Sequence, residues 1–268
     1  LYTLNEAKFR YFPPFKFAFP EILIKPKPIP DPNKNQISTG MADFDKLADG
    51  GFQKGSWNLI EIAHGIGEGF FSIIIPIIVN HLNLERGLVA ILPEGVSPFI
   101  FNQYLEGFVG KERLNKLVSA INIGLENNVV KTQDKNKINP DYIFNIIQEK
   151  ISEYNEKLNT PVLTFLGLGS LQHIFGEKEL ISAIAKQIAL SRTTNNITIV
   201  QTQEHQRIIN GLRHMVSTHW KLDLINRALV LYGIQPETEI NSVISTASKG
   251  YIDTKLIPIV SVSYTHLT

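Results

Sequence analysis

Cysteine is absent from the 268 residues of this chain. This absence excludes disulfides, thiolate catalysis and cysteine-ligated zinc. Charge of one sign is not in excess either, since 26 lysines and arginines oppose 25 aspartates and glutamates. A chain so nearly neutral gives no electrostatic reason to expect binding to nucleic acid or to a membrane surface.

A hydrophobic run long enough to cross a bilayer is also lacking. The longest run, residues 70–79, is about half of the ~20 residues that a spanning helix needs, so we interpret it as buried core. No signal-peptide pattern follows Leu1, the first residue. We therefore expect a cytoplasmic protein that has no membrane partner.

The two ends of the chain differ in composition from the middle. Residues 12–36 are rich in proline and lysine, and residues 1–36 are therefore predicted to form an extended N-terminal tether. Residues 262–268 resemble a translated sequencing adapter, and residues 261–268 are interpreted as a non-native tail of a gene fragment. The predicted core domain covers residues 37–260.

Strand and helix patterns alternate along the core domain. Short β-rich apolar runs occur at 57–62, 88–92, 118–123, 161–168 and 197–202, and amphipathic stretches occur at 98–110, 140–157 and 178–192. Such alternation predicts an α/β fold with a mainly parallel sheet. Residues 220–234 are instead typical of two strands around a turn, which predicts an antiparallel hairpin near the C-terminus.

The segment 70–79 is not assigned by its own composition. Its β-branched residues and Pro76 favour a strand or a broken helix. Only its position after a glycine-rich turn indicates a helix, in which Pro76 should introduce a bend.

The residues that lead into the first strand resemble a motif of the RecA-superfamily ATPases related to KaiC, GvpD and RadA. The family pattern is Ile-Ser-Thr-Gly, then Leu-Asp, then Gly-Gly-x-x-x-Gly-Ser. The matching residues are Ile37, Ser38, Thr39, Gly40, Asp45, Gly50, Gly51, Gly55 and Ser56, with Phe44 in place of leucine. The resemblance fades toward residue 260. It implies a RecA-like P-loop NTPase core, in which helices flank a twisted sheet.

The resemblance also implies a phosphate-binding loop after the first core strand. The family pattern is Gly-x-x-x-x-Gly-Lys-Thr/Ser, whose backbone N–H groups and lysine bind phosphate and whose hydroxyl binds Mg²⁺. Ile62 stands at the first glycine, Gly67 matches the second, Glu68 replaces the lysine and Gly69 replaces the hydroxyl residue. Although Gly65 and Gly67 still allow close backbone approach, we predict a vestigial loop that repels ATP.

The sequence leaves two placements open for Glu68. Its carboxylate would gain about 0.3–1 kcal/mol beside a helix N-terminus, where it could fill the vacated anion site. Alternatively, it is a solvated surface side chain.

Two further family positions can be located in the sequence. The aspartate that orients Mg²⁺ falls on Gly169, and no carboxylate occurs between Thr160 and Gly176. The glutamate that positions the attacking water corresponds to Glu94. Without the lysine and the metal it has no phosphate to serve, so Glu94 is interpreted as vestigial.

Other patterns point to no chemistry. Arg207, Arg213 and Lys221 lie in a region where RecA-like recombinases carry DNA-binding loops. Three positive charges are more typical of a solvated loop, so nucleic-acid binding is not expected. The seven histidines are scattered, and neither a metal site nor a serine nucleophile is predicted.

The predicted tether contains one pattern related to assembly. Residues 15–18, Phe-Lys-Phe-Ala, fit the Phe-x-x-Ala pattern with which RadA-type recombinases insert a segment into a neighbouring core. The alternative is an apolar clamp on the chain's own domain.

The resemblance supports two functional hypotheses. In the first, the chain is an inactivated ATPase homologue without a cofactor. It would be a regulatory or scaffolding protein in signal transduction, and would bind copies of itself or intact paralogues. In the second, it is an ATPase that binds ATP and Mg²⁺ through an atypical loop and serves DNA recombination.

Overall fold

The computed structural model describes residues 2–5, 8–121 and 139–259. The predicted tail, 261–268, lies outside the described residues, as do residues 122–123 of the third predicted strand. The strands are β1 (Tyr2–Asn5), β2 (Lys8–Tyr11), β3 (Gln36–Ile37), β4 (Phe52–Gln53), β5 (Trp57–Ile62), β6 (Leu88–Ile91), β7 (Val118–Ala120), β8 (Leu163–Gly167), β9 (Ile197–Gln203), β10 (Thr218–Ile225), β11 (Ala228–Gln235), β12 (Asn241–Thr246) and β13 (Asp253–Pro258). The helices are α1 (Ala42–Leu47), α2 (Phe71–Asn83), α3 (Pro98–Val109), α4 (Lys111–Leu117), α5 (Pro140–Leu158), α6 (Leu168–Phe175), α7 (Glu177–Ser191) and α8 (Ile208–Leu212), and a 3₁₀ turn, Gly67–Phe70, leads into α2.

Nine of these strands form one mixed sheet, in the order β13-β12-β11-β10-β5-β9-β8-β6-β7. The strands from β10 to β7 in this order are parallel, whereas β10 to β13 pair antiparallel. The predicted fold class is therefore confirmed. The hairpin β10–β11 turns at Asn226 and Arg227, whose positive φ angles of 49° and 64° suit a tight two-residue turn. The sequence analysis did not predict β12 and β13.

The core lies on both faces of the sheet because successive side chains of a strand point to opposite faces. On β5, Ile60 joins the cluster that contains α2 and α3, and Leu59 joins the cluster that contains α5 and α7. This two-sided burial explains why the parallel strands are nearly continuous apolar runs in the sequence. Within the described ranges, no helix is long and apolar enough to cross a membrane.

The structure confirms the helix that was expected after the glycine-rich turn, and every residue of this helix, α2, is buried. Pro76 has no N–H, so the carbonyl of Ser72, four residues earlier, lacks its helical partner. The hydroxyl of Thr254 on β13 donates a hydrogen bond to this carbonyl at 2.7 Å. The proline thus creates an acceptor that ties α2 to the last strand of the sheet.

Residues 12–31, here called the N-terminal strap, are extended and pack along the domain. Phe12 is buried, and Phe15, Phe17 and Phe19 contact the core cluster of α2 and α3. The ring of Phe19 lies 5.4 Å from that of Phe108, between centroids. A clamp of residues 15–18 on the chain's own domain was the alternative considered from the sequence, and phenylalanine at every second position is the pattern of an extended chain with one buried face.

Polar contacts hold the far end of the strap. The side chain of Asn80 accepts a hydrogen bond from the N–H of Ile29 at 2.7 Å and donates one to its carbonyl at 3.1 Å. Asp31 forms a bidentate pair with Arg86 at 3.0 and 2.7 Å. At the near end, the N–H of Phe15 donates to the carbonyl of Arg227 at 2.7 Å. Within this single chain, the strap contacts are those of a clamp on its own domain.

Substitution of Thr254 by valine tests the tie between α2 and β13. Thr254→Val keeps the shape of the side chain but leaves the buried carbonyl of Ser72 without a donor, so we expect a loss of about 1–3 kcal/mol in unfolding free energy. Urea denaturation measures this loss, and Thr246→Val at the exposed end of β12 is the matched control. Equal stability of the two variants would contradict the assigned role.

Candidate functional site

The motif that carries the family resemblance forms a hydrogen-bonded turn ahead of β5. The carboxylate of Asp45 accepts hydrogen bonds from the N–H of Thr39 at 2.6 Å, from its hydroxyl at 2.7 Å and from the hydroxyl of Ser38. Gly51 has a φ of 107°, and a Cβ at this position would lie 2.4 Å from the carbonyl oxygen of Ile37. These motif residues therefore hold the backbone that precedes β5.

The predicted phosphate loop lies between the end of β5 and the 3₁₀ turn. Ile62 is buried at the end of β5, and Ile66 is buried within the loop. Gly65 and Gly67 have φ angles of 83° and 54°. A Cβ added to Gly67 would meet no atom within 4 Å, so the loop backbone is open at this point.

Glu68 is exposed at the start of the 3₁₀ turn. Its Oε1 accepts a hydrogen bond from the hydroxyl of Tyr104 on α3 at 3.3 Å. Burial and, after it, the charge of Glu68 raise the pKa of Tyr104. The ring of Tyr104 lies 5.0 Å from Phe71 and 4.7 Å from Phe19, between centroids. Glu68 therefore belongs to the surface where the strap crosses α2 and α3.

Gly69 lies beneath the strap. A Cβ at Gly69 would be 3.1 Å from Cε1 of Phe15 and 3.0 Å from Cγ2 of Ile66. Contacts this short are tighter than most Cβ contacts in proteins. A hydroxyl-bearing residue at position 69 would require Phe15 or Ile66 to move.

A carboxylate that the sequence analysis missed reaches the phosphate loop. Oε1 of Glu204 accepts a hydrogen bond from the backbone N–H of His64 at 3.0 Å, and this bond is the main cause that lowers the pKa of Glu204. The register explains the contact, since Ile62 on β5 pairs with Gln203 on the parallel strand β9. The only signal available in the sequence was an acidic residue just after a predicted strand, 197–202.

The positions predicted for metal and water activation lie close together. A Cβ at Gly169, in the first turn of α6, would be 3.5 Å from Oε2 of Glu94 and 3.0 Å from Nε2 of Gln206. The side-chain oxygen of Gln206 accepts hydrogen bonds from the hydroxyl of Thr202 and from the N–H of Gln203. The amide of Gln206 therefore fills the space over Gly169. A cavity of about 270 Å³ remains beside it, lined by Pro93, Glu94, Gly95, Gly169, Gln201, Gln203, His205 and Gln206.

A cluster of charged side chains supports Glu204 from β5 and β10. Nζ of Lys221 lies 3.4 Å from Glu61, 3.3 Å from Glu204 and 3.7 Å from Asp223. Nε2 of His219 lies 2.9 Å from Glu61. Burial alone would raise the pKa of Glu61, but the hydrogen bond with His219 and the charge of Lys221 lower it. Lys221 thus pairs with these carboxylates and is not a free basic group on a loop.

The described residues contain no group of side chains suited to bind a metal ion. Among residues 2–5, 8–121 and 139–259, no three histidine, aspartate or glutamate side chains are placed so that they could hold a metal ion.

Sheet order, the glycine-rich turn into α2 and the preceding motif together define a KaiC-like RecA fold. A KaiC-like protein from the hyperthermophilic archaeon Pyrococcus horikoshii has this fold, with a TM-score of 0.61 and 14% sequence identity over 84% of this chain and 100% of that chain. Protein GvpD2 of Halobacterium salinarum is 20% identical over 256 residues.

The comparison with GvpD2 covers 88% of this chain and 50% of that protein. The chain therefore spans about half the length of the curated relative that it matches. No family profile matches the chain. The structural similarity shows that the chain has a KaiC-like fold, and the sequence similarity to GvpD2 extends over most of the chain.

Removal of Lys221 tests the charged cluster. Glu61 and Glu204 have lowered pKa values in the folded protein, so their ionised forms stabilise it above about pH 4.5, and this contribution is lost as the pH falls through the folded pKa values. Lys221→Met should therefore cost about 2 kcal/mol at pH 7 and clearly less at pH 3. Lys186→Met, which breaks the exposed pair with Asp141, should cost below about 1 kcal/mol. A loss for Lys221→Met that is equal at both pH values would contradict the assignment.

Proposed function

We propose that this chain is a RecA/KaiC-like ATPase homologue that does not hydrolyse ATP and acts by binding other proteins. One observation supports the proposal: the protein's own groups contact the positions that the resemblance assigns to phosphate and Mg²⁺. Glu204 binds the N–H of His64, Phe15 covers Gly69, and the amide of Gln206 lies over Gly169.

Electrostatics support the same conclusion. Two unit charges 4 Å apart interact by about 1 kcal/mol in bulk water and about 4 kcal/mol at an effective dielectric of 20. Glu68 and Glu204 are both exposed, so the lower figure applies to each of them, and Glu204 also lies against the loop backbone through its hydrogen bond with His64. Both carboxylates repel a polyphosphate. The nearby cation, Lys221, is already shared with Glu61 and Asp223.

The residues present also do not fit a bound Mg²⁺. Position 69 has no hydroxyl, and the segment from Thr160 to Gly176 has no carboxylate. Glu94 alone cannot organise an octahedral metal shell that also bridges phosphate. We therefore assign no step of ATP hydrolysis to Glu94.

A domain of this kind would serve as a regulatory or scaffolding subunit in the cytoplasm. Its partners would be copies of itself or intact paralogues, and it would act in signal transduction. Because one fold hosts many functions, this role rests on analogy with the fold class. The competing function, an ATPase with an atypical loop that serves recombination, is decided by the nucleotide experiments below.

Thermal unfolding in the presence of Mg-ATP tests the proposal directly. A ligand at 100 times its Kd stabilises the folded state by about 2.7 kcal/mol, which raises Tm by several degrees. We expect no shift at millimolar Mg-ATP relative to a salt-matched control, and no release of phosphate. A clear upward shift would support the atypical ATPase instead.

Substitutions in the loop test which groups block the site. Glu68→Lys alone should restore no hydrolysis, because the Mg²⁺-organising groups at 69 and 169 are still missing. We expect weak Mg-ATP binding only when Glu68→Lys, Gly69→Thr and Gly169→Asp are combined with Phe15→Ala and Gln206→Ala, since side chains at 69 and 169 meet the ring of Phe15 and the amide of Gln206. The triple variant without Phe15→Ala and Gln206→Ala is the matched control. Hydrolysis by Glu68→Lys alone would refute the assignment of the metal positions.

A further inference from the structure

The cavity beside Gly169 is lined by polar side chains whose bonding capacity the chain itself does not use. Its volume is about 270 Å³, and it lies where the carboxyl ends of β8 and β9 meet the loop after β6. We propose that this cavity binds a guanidinium group, presented by an arginine side chain of a partner protein. The inference rests on the proposed function in taking a protein as the source of the ligand, whereas the chemistry of the cavity stands without it.

A buried amide faces this cavity and has no partner. Gln201 on β9 lines the cavity and is only 2% exposed. Among residues 2–5, 8–121 and 139–259, no group forms a hydrogen bond with its side-chain amide. The atoms of this amide are not among the buried polar atoms that are sealed off from solvent, so they meet the open space of the cavity. A buried amide calls for a partner, and its oxygen accepts from an N–H donor.

The charge of the lining is negative. Glu94, which is exposed, lines the cavity, and the lining includes no lysine or arginine. Within the described part of the chain, Glu94 forms no ion pair. The next carboxylate along this edge, Glu204, already has Lys221 and the N–H of His64 as partners. A cation would therefore gain a favourable contact with Glu94, whereas an anion would be repelled.

The position of Gln206 leaves the acceptors of the cavity open. Its side-chain oxygen accepts from Thr202 and from the N–H of Gln203, which turns Nε2 toward the space over Gly169. Nε2 is a donor and engages at most part of the acceptor capacity of Glu94, since a carboxylate has about four acceptor sites. Two acceptors on different elements thus remain for a ligand, the carboxylate after β6 and the amide oxygen on β9.

A guanidinium group suits this pair of acceptors better than an ammonium group. Its N–H donors form a rigid planar fork that can bond Glu94 and Gln201 at once, and it is more weakly hydrated, so it loses less on entering a cavity. The volume lies below the lower limit of about 300 Å³ for small-molecule pockets. A single side chain inserted by a protein therefore fits this space better than a nucleotide does.

A pair of probes tests the proposal on the unmodified protein. N-acetyl-L-argininamide carries the guanidinium, and N-acetyl-L-citrullinamide has the same length with an uncharged ureido group. In ¹⁵N-resolved NMR at matched ionic strength, we expect the first probe to shift the Gly169 N–H and the side-chain amide of Gln201. The second should bind about tenfold more weakly, because it loses the charge-assisted bond to Glu94. Equal affinity of the two probes would overturn the proposal.

Free L-arginine tests the source of the guanidinium. Its α-carboxylate adds a negative charge that a side chain within a protein lacks, so it should bind more weakly than N-acetyl-L-argininamide. Tighter binding of free L-arginine would indicate a small metabolite as the ligand and would contradict a partner protein.

Two matched variants place the binding in this cavity. Glu94→Gln removes the charge and keeps the shape of an exposed side chain, and should weaken the binding of N-acetyl-L-argininamide about tenfold. Glu68→Gln removes an exposed charge from the phosphate loop, outside the lining, and should bind as the unmodified protein does. An equal loss in both variants would show a diffuse charge effect and refute the site, as would unchanged binding by Glu94→Gln.

These experiments contain no nucleotide, so their outcome is separate from that of the Mg-ATP experiments. A rise in Tm with Mg-ATP would contradict the proposed function and leave the guanidinium site in place. No change at Gly169 or Gln201 up to the solubility limit of N-acetyl-L-argininamide would refute the site and leave the proposed function in place.

Discussion

The parallel pairing of β5 with β9 is the constraint on which the candidate site depends. Its register sets Ile62 opposite Gln203, so the residues that follow these two positions face one another at the same edge of the sheet. The loop after β9 can therefore reach the phosphate loop after β5 with only one or two side chains. Glu204 reaches the N–H of His64, and Gln206 reaches the space over Gly169. An acidic and an amide residue directly after β9 therefore contact the positions that the resemblance assigns to phosphate and metal.

The N-terminal strap also contacts this loop. Phe15 covers Gly69, and the aromatic rings of Phe17 and Phe19 continue the contact toward Tyr104, whose hydroxyl binds Glu68. The loop has a small residue, Gly69, and an exposed one, Glu68, where the strap has large apolar rings. The loop and the strap therefore fit against one another. A side chain at position 69 would meet the ring of Phe15, so glycine at this position suits the packing of the strap.

The fold class and the hairpin followed from the sequence because burial on both faces and turn geometry leave local patterns. Helix α2 followed only from its position, since Pro76 obscures the pattern and its compensation by Thr254 comes from a distant strand. For the strap, the sequence offered a clamp only as one of two alternatives, and the charged cluster around Lys221 was beyond local reasoning, because each joins residues from separate elements. For the site, the positions of Glu94 and Gly169 were located through the resemblance, whereas the contacts of Glu204 and Gln206 needed the register of β9.

The turn before β5 and the loop after β5 contribute differently to the fold. Hydrogen bonds within the chain hold the turn, whereas neighbouring side chains contact the loop residues Glu68 and Gly69. Asp45 and the turn at Ser38 and Thr39 form hydrogen bonds within the chain, and Gly51 permits a close backbone approach. Changes there would leave buried polar groups without partners or force a clash, at a cost of about 1–3 kcal/mol each. Glu68 and Gly69 make no comparable contribution to the core, so their identity is set by what contacts the loop. Here those contacts are Tyr104 and Phe15, both from the chain itself.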